Sequence, residues 1–298
     1  MGRVALVLAL ALVSNAARAQ EGCPPKGYTV EQLHQLKFIA FAVPADEVRQ
    51  ALAVDLIGCL GDPRPEVRDG IAFEALSTWM RSAQLDQPTL RKLRDLLIPG
   101  LESSDAAGFR APFSALAMSE VARTDRIKPW LTAEEREGLV QAATKYLPGV
   151  KDYRGFSDTE GWRHGVAHGS DFVLQLALNP GINKPQLDRL LEAVASQVSP
   201  PGAPPYHNAE SERLAQPVFY IAQRGMHDET EWNAWFSRVL NPAPLAGWDD
   251  AFSSEAGLAK RHNTLEFILV LHAAATQSAD PNVARVVPAL REALKTVQ

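Results

Sequence analysis

The chain has 298 residues, 46% of them hydrophobic, with 30 basic residues against 35 acidic ones and a net charge of −5. That acidic balance argues against nucleic acid and against anionic membrane surfaces as partners. The length exceeds the usual single-core size, so two domains or an elongated repeat architecture are expected.

Residues 1–19 read as an export leader: Arg3 supplies a positive start, Val4 to Val13 an unbroken apolar run, and Ala17-Arg18-Ala19 a small-x-small cleavage site. The run is far short of the ~20 residues a spanning helix needs. No later stretch is long and apolar enough to span a membrane, Phe267 to Ala275 being the nearest. Gln20 and Glu21 ahead of Cys23 do not fit a lipoprotein signal. Cleavage after Ala19 and a periplasmic or secreted location are therefore expected, with 20–298 as a single α-helical repeat-like domain. Cys23 and Cys59 are expected to form one disulfide in an oxidising compartment. Closing that loop stabilises the fold by about 3–4 kcal/mol in the chain-entropy picture.

Helical signals then recur along the chain, and the alternation of a half-buried strand is sustained nowhere. Thr29-x-x-Gln32 and Thr132-x-x-Glu135 are capping boxes, while Asp62-Pro63 and Asp280-Pro281 place a capping oxygen before a proline. The spacing predicts helices near 29–42, 45–60, 63–83, 88–98, 108–123, 132–147, 158–178, 185–198, 208–224, 228–240, 248–272 (broken near Gly257) and 281–296. Asp62 to Arg68 and Asp105 to Arg110 look like loose copies of one unit, and Ile98-Pro-Gly-Leu101 is echoed by Leu147-Pro-Gly-Val150. The two aspartates stand at a HEAT-like period, so the expected fold is all-α, with paired antiparallel helices stacked as a HEAT/armadillo-like superhelix and no sheet. An irregular helical globule is the alternative. Ser199-Pro-Pro-Gly-Ala-Pro-Pro-Tyr-His207 forbids helix and is expected to be an extended loop between two halves.

The stretch Glu160 to Asp171, E-G-W-R-H-G-V-A-H-G-S-D, carries most of the chemistry. Wound as a helix it places Glu160, His164, His168 and Asp171 within roughly 80° of arc. Gly161, Gly165 and Gly169 recur every fourth residue. Each costs a helix roughly 1 kcal/mol relative to alanine, which points to close approach of a neighbour. Histidines at i and i+4 can share zinc or another divalent metal, with Asp171 as an oxygen ligand. Gly165, however, stands where the zinc-protease motif has its glutamate. A solvated helix face, or buried histidines satisfied by hydrogen bonds, explains the same spacing. Further candidates are Glu210, Glu212 and Arg213 after the proline loop, and Asn263 near His262 and Glu266. Trp232 and Trp235 are either core or the lining of a sugar or peptide groove.

Asp152-x-Arg154-Gly155 followed by Glu160-x-Trp162-x-His164-x-x-Ala167-His168-Gly169-x-Asp171 resembles the central motif of a bacterial domain-of-unknown-function family, the one numbered 2785. Glu210-x-Glu212-Arg213-Leu214, Asn263-x-x-x-Phe267 and Val67-Arg68-Asp69 resemble its other blocks. The resemblance implies an all-helical domain and marks these polar residues as its defining features; it assigns no chemistry. Three readings follow. The first is a binding or scaffold module holding a peptide, glycan or protein partner in a polar pocket. The second is a cell-envelope hydrolase or lyase, with or without a metal, using Glu160, His164, His168 and Asp171 with Arg154, Glu210 or Glu212. The third is a purely structural helical domain.

Overall fold

Side chains that replace missing backbone partners decide where the helices begin. The computed structural model describes residues 22–297, so the expected leader and cleavage site lie outside the described residues. Thr29 opens α1 (Val30–Phe38) with the expected reciprocal box to Gln32. α2 (Asp46–Leu56) continues through a 3-10 turn, Ile57–Gly61. α3 (Pro65–Val67) runs through a π turn, Arg68–Phe73, into α4 (Glu74–Arg81). Asp62 does not cap this helix as expected; both its oxygens are taken by Arg64. Asp86 caps α5 (Gln87–Leu101), with Pro88 in its first turn and Pro99 near its end. α6 (Arg110–Ile127) and α7 (Ala133–Gly149) follow, the latter with the Thr132–Glu135 box.

A short hairpin then interrupts the helices. β1 (Phe156–Ser157) pairs antiparallel with β2 (Gly161–Trp162), in the register Phe156↔Trp162 and Ser157↔Gly161. This corrects two expectations at once: a two-stranded sheet exists, and the helix predicted from 158 begins only at Gly165, as α8 (Gly165–Ala177). The reason is backbone conformation. Gly161 has φ +70 and His164 φ 59, both left-handed and incompatible with a continuing right-handed helix. The Glu160 carbonyl, turned away from helical bonding, accepts from Arg68 Nη2 at 2.9 Å. A β-carbon on Gly161 would stand 2.9 Å from Pro65 Cβ, so glycine is needed there twice over.

The C-terminal part contains α9 (Lys184–Val198), α10 (Glu210–Gln223), α11 (Glu229–Val239), a 3-10 turn Trp248–Ser253, α12 (Glu255–Gln277), α13 (Pro281–Ala284) and α14 (Val287–Val297). Packing follows a simple rule. From α4 onward each even-numbered helix up to α12 touches the next, and α12 touches α14. α5, α7, α9 and α11 form a second row along them, with α5 against α6, α7 against α8 and α9 against α10. One buried apolar cluster runs through the molecule from Cys23 to Val297. Trp232 and Trp235 are buried in that core, their rings 6.1 Å apart and edge to face, and they also back a recess lined from α9 and α11.

The two proposed copies occupy the starts of helical stretches in the same row, one leading into α4 and one opening α6. Their partners differ: the Asp105 carboxylate accepts from the Phe109 and Arg110 amides, and Arg110 donates to the carbonyls of Ile57 and Gly58. Cys23 and Cys59 are joined, with Cα atoms 5.0 Å apart, fastening the N-terminal segment to the end of α2. The proline loop connects α9 to α10 and is held down from α12. Asn263 accepts from the Tyr206 amide at 2.7 Å and donates to the Pro204 carbonyl at 3.0 Å. No helix among the described residues is long and apolar enough to cross a membrane.

Candidate functional site

The hairpin and the left-handed His164 together aim two histidines at one place. The amides of Arg163 and His164 donate to the carbonyls of Gly155 and Arg154, which fixes the hairpin base. The His164 carbonyl then accepts from the His168 amide at 3.0 Å, the first helical bond of α8. One turn apart, the two rings lie 5.6 Å centroid to centroid. Trp162 stacks on His164 at 4.7 Å and Phe156 lies beyond it at 4.9 Å; Phe113 of α6 packs edge-on to His168 at 5.2 Å. The result is a column of five rings. It begins at Phe156 and Trp162, 51% and 38% exposed, and ends in the core at Phe113.

Polar partners come from α10. Ala209, also left-handed, turns the chain into the helix so that Glu210 points back at α8. One Glu210 oxygen accepts from the Asn208 amide at 2.8 Å; the other lies 3.8 Å from His164 Nε2, too far for a hydrogen bond. One turn further on, Arg213 Nη1 reaches both Asp171 oxygens at 2.6 Å and ties α10 to α8.

Burial pushes the His164 pKa down, with Glu210 and the Asn208 backbone opposing, and Arg213 adding to the fall. His168 is pushed well below its ordinary value by burial first, then by His164 and Arg213; a hydrogen bond to the Pro112 backbone opposes. Burial raises the Asp171 carboxyl, outweighing the pull of Arg213. Both imidazoles are therefore neutral near pH 7.

Two buried imidazole atoms of this cluster, His164 Nε2 and His168 Nδ1, have no partner in the protein, and on α10 the Ser211 hydroxyl next to Glu210 is likewise unpaired. Two more, Tyr153 Oη and Gln197 Oε1, belong to the neighbouring layer. There the Tyr153 and Tyr206 rings lie 6.3 Å apart and the Tyr206 hydroxyl donates to the Gln197 carbonyl. An unpaired buried polar group costs about 1–3 kcal/mol, so such a concentration is costly unless something else meets these atoms.

Not every residue singled out from sequence joins the cluster. Glu160 is exposed and held by Arg163 through two contacts of 3.1 Å; the shared helical stripe does not form, because the hairpin separates it from the histidines. Arg154 pairs with Asp152 and faces a different recess. Glu212 is exposed, two residues on from Glu210 and so on another side of α10. Asn263 fastens the proline loop. His164, His168 and Asp171 do not form a metal-ligand set: Asp171 is occupied by Arg213, and among the described residues no three His, Cys, Asp or Glu side chains are grouped to hold a metal ion.

Arg163 was missed in the sequence. It is buried, donates to the Ala107 carbonyl at 2.7 Å and lies 4.2 Å over the Phe109 ring, while Arg68 lies 3.9 Å from the same ring. Its only signal was a basic residue inside an otherwise buried run.

Close approach of a neighbour, expected at the three glycines, holds at each, though Gly161 lies in the hairpin and only Gly165 and Gly169 lie in α8. A β-carbon on Gly169 would stand 2.9 Å from Leu147 Cδ1 and from Tyr146 Cε1, and one on Gly165 3.2 Å from Val150. α8 thus carries histidines on one side and presses its bare backbone against α7 on the other.

Fold and site define an all-helical protein of two packed rows with a buried histidine–carboxylate centre under an aromatic cap. The chain belongs to the family described as a protein of unknown function (DUF2785), whose family model matches residues 98–272, a span that includes His164, His168, Asp171, Glu210, Arg213 and Asn263. No curated protein and no solved structure matches it.

Proposed function

We propose that the protein is an exported binding module of the cell envelope that grips a hydroxylated ligand, a glycan, at the histidine cluster. The observation that carries this reading is the pair of unpaired buried imidazole nitrogens, His164 Nε2 and His168 Nδ1, in a ring column capped by the partly exposed Trp162. A sugar offers both things the arrangement needs: an apolar ring face for the Phe156–Trp162 pair and hydroxyls that donate and accept below it. The leader at 1–19, the Cys23–Cys59 bridge and the acidic charge are consistent with a periplasmic or secreted protein.

A second reading has a specific observation in its favour. A neutral histidine whose Nε2 lies 3.8 Å from a carboxylate is a starting geometry for acid–base work in a hydrolase or lyase. In that reading His164 and Glu210 carry the chemistry, and Glu160 and Asp171 drop out of it.

Tryptophan fluorescence, with Trp162 as reporter, distinguishes the cases when neutral, amino and acidic oligosaccharides and short peptides are titrated in. Saturable quenching by an oligosaccharide that His164→Ala and Glu210→Gln abolish, without turnover, is the expected result. Release of reducing ends would move the assignment to the hydrolase. Silence toward all oligosaccharides, together with collapse of the melting temperature in His164→Ala, would make the histidines structural fasteners and end the proposal.

A further inference from the structure

Behind α8, on the side opposite the histidines, lies a recess of about 470 Å3. It opens between the ends of α5 and α7, the two places where the Ile-Pro-Gly-Leu and Leu-Pro-Gly-Val echoes end their helices. Its walls are Ile98, Leu101, Ala111, Ala142 and Val150, and Gly165 lies at the α8 side. The volume falls within the roughly 300–1,000 Å3 typical of small-molecule sites.

The polar atoms around it are largely spent. The Tyr146 hydroxyl donates to the Gly165 carbonyl at 3.3 Å, so the floor offers hydrocarbon surface. At the mouth, Glu102 is paired with Lys145, Asp152 with Arg154, and the Asp105 carboxylate caps the first amides of α6. Lys151 is the charged group left over, exposed and with neither hydrogen bond nor ion pair; the Ser103 hydroxyl, also in the lining, makes no hydrogen bond either.

We infer that this recess is a second binding site, for an amphiphile that lays a hydrocarbon body along Ala111, Ala142 and Val150 and sets a single anionic group against Lys151. Charge complementarity selects the anion: a cationic head would find every carboxylate at the mouth already engaged. The hydrocarbon body follows from a floor with no free hydrogen-bonding group to reward a polar one. The recess shares Pro112 and Gly165 with the surroundings of the histidines but none of their unpaired atoms, so neither inference depends on the other.

The test uses the purified full chain and dodecanoate below its micelle concentration, with dodecyltrimethylammonium as the opposite-charge control. Isothermal titration is expected to show one dodecanoate per chain and much weaker binding of the cationic control. Lys151→Glu, an exposed loop change that leaves folding intact, should weaken dodecanoate about fivefold, the scale of an exposed ion pair. Ala142→Phe should fill the recess and weaken it at least about tenfold, a difference of about 1.4 kcal/mol. Methyl resonances of Ala111, Ala142 and Val150 should shift on titration, a readout that stands even if Ala142→Phe fails to fold. Equal binding of the two detergents, no saturable binding, or unshifted methyls at those three residues would overturn the proposal.

Discussion

Two buried polar regions meet across Phe113, and they are built on opposite terms. On one side Arg68 and Arg163 flank Phe109. Their guanidinium groups donate to the carbonyls of Asp62, Glu160 and Ala107, and face the carboxylates of Asp69 and Glu160; Arg68 Nε and Asp69 Oδ1 make no hydrogen bond but meet each other at 2.7 Å as an ion pair. On the other side His164, His168 and Ser211 are as deeply buried and keep unpaired atoms. Saturated polar groups hold a fold together, since each bond formed offsets the desolvation it required. Unsaturated ones contribute less to stability and leave capacity for a ligand. Burial alone therefore does not separate scaffold from site; the balance of donors and acceptors does.

The largest effect is expected on the saturated side. Arg68→Ala leaves Asp69 and the carbonyls of Asp62 and Glu160 without their partner in a buried setting. The loss should be about 3–5 kcal/mol, read as a lower urea midpoint with an unchanged slope. A loss under 1 kcal/mol would show that the arginine side is not the scaffold.

Next comes the wall between the histidines and α7. Gly169→Ala places a methyl 2.9 Å from the Tyr146 ring and Leu147, and overpacking of this kind costs about 1–3 kcal/mol. A rise in melting temperature, the normal result of glycine-to-alanine in a helix, would mean that the contact yields.

Acidification probes the histidine side directly. His168 faces Phe113, His164, Arg213, Arg68 and the Pro112 carbonyl, and its pKa is depressed in the folded state. The unfolded chain, with an ordinary value of about 6.5, then binds more protons than the native one. Stability is full above that pH and declines as pH falls below it. Thermal melts between pH 7.5 and 5 should show the decline, and His168→Gln should flatten it; an unchanged slope would put the protonation elsewhere.

The smallest effect is expected for His164→Ala. Its Nε2 has no protein partner, so unfolding free energy should fall by under about 1 kcal/mol while oligosaccharide binding disappears. A loss as large as that of Arg68→Ala would erase the contrast between the two regions.

Much of the fold was legible because local chemistry wrote it. Thr29, Thr132 and Asp280 sit at helix starts as their patterns predict, and the segmentation follows their punctuation. The site was legible in composition more than in shape. His164, His168, Asp171, Glu210 and Arg213 do gather, but a helical wheel placed Glu160 among them. The wheel failed because left-handed conformations at Gly161 and His164 are chosen by distant partners, above all by Arg68, 92 residues before the carbonyl it holds. Three glycines at helical spacing read equally well as a helix needing a close neighbour or as a stretch that is not all helix, and here both answers apply in succession. Arg163 was opaque for the same reason: its partners, Ala107 and Phe109, come from a loop that no local pattern joins to it.

Asn263 has a bearing on the order in which the molecule is completed. The loop carrying Asn208 and Glu210 is fastened by a side chain 57 residues beyond Tyr206. In a chain that emerges N-terminus first, α8 and its histidines are present well before that anchor arrives. The carboxylate side of the centre is consequently locked late, when α12 docks. A chain cut between α11 and α12 keeps every residue of the cluster but loses both the clasp on the proline loop and the helix packed along α10.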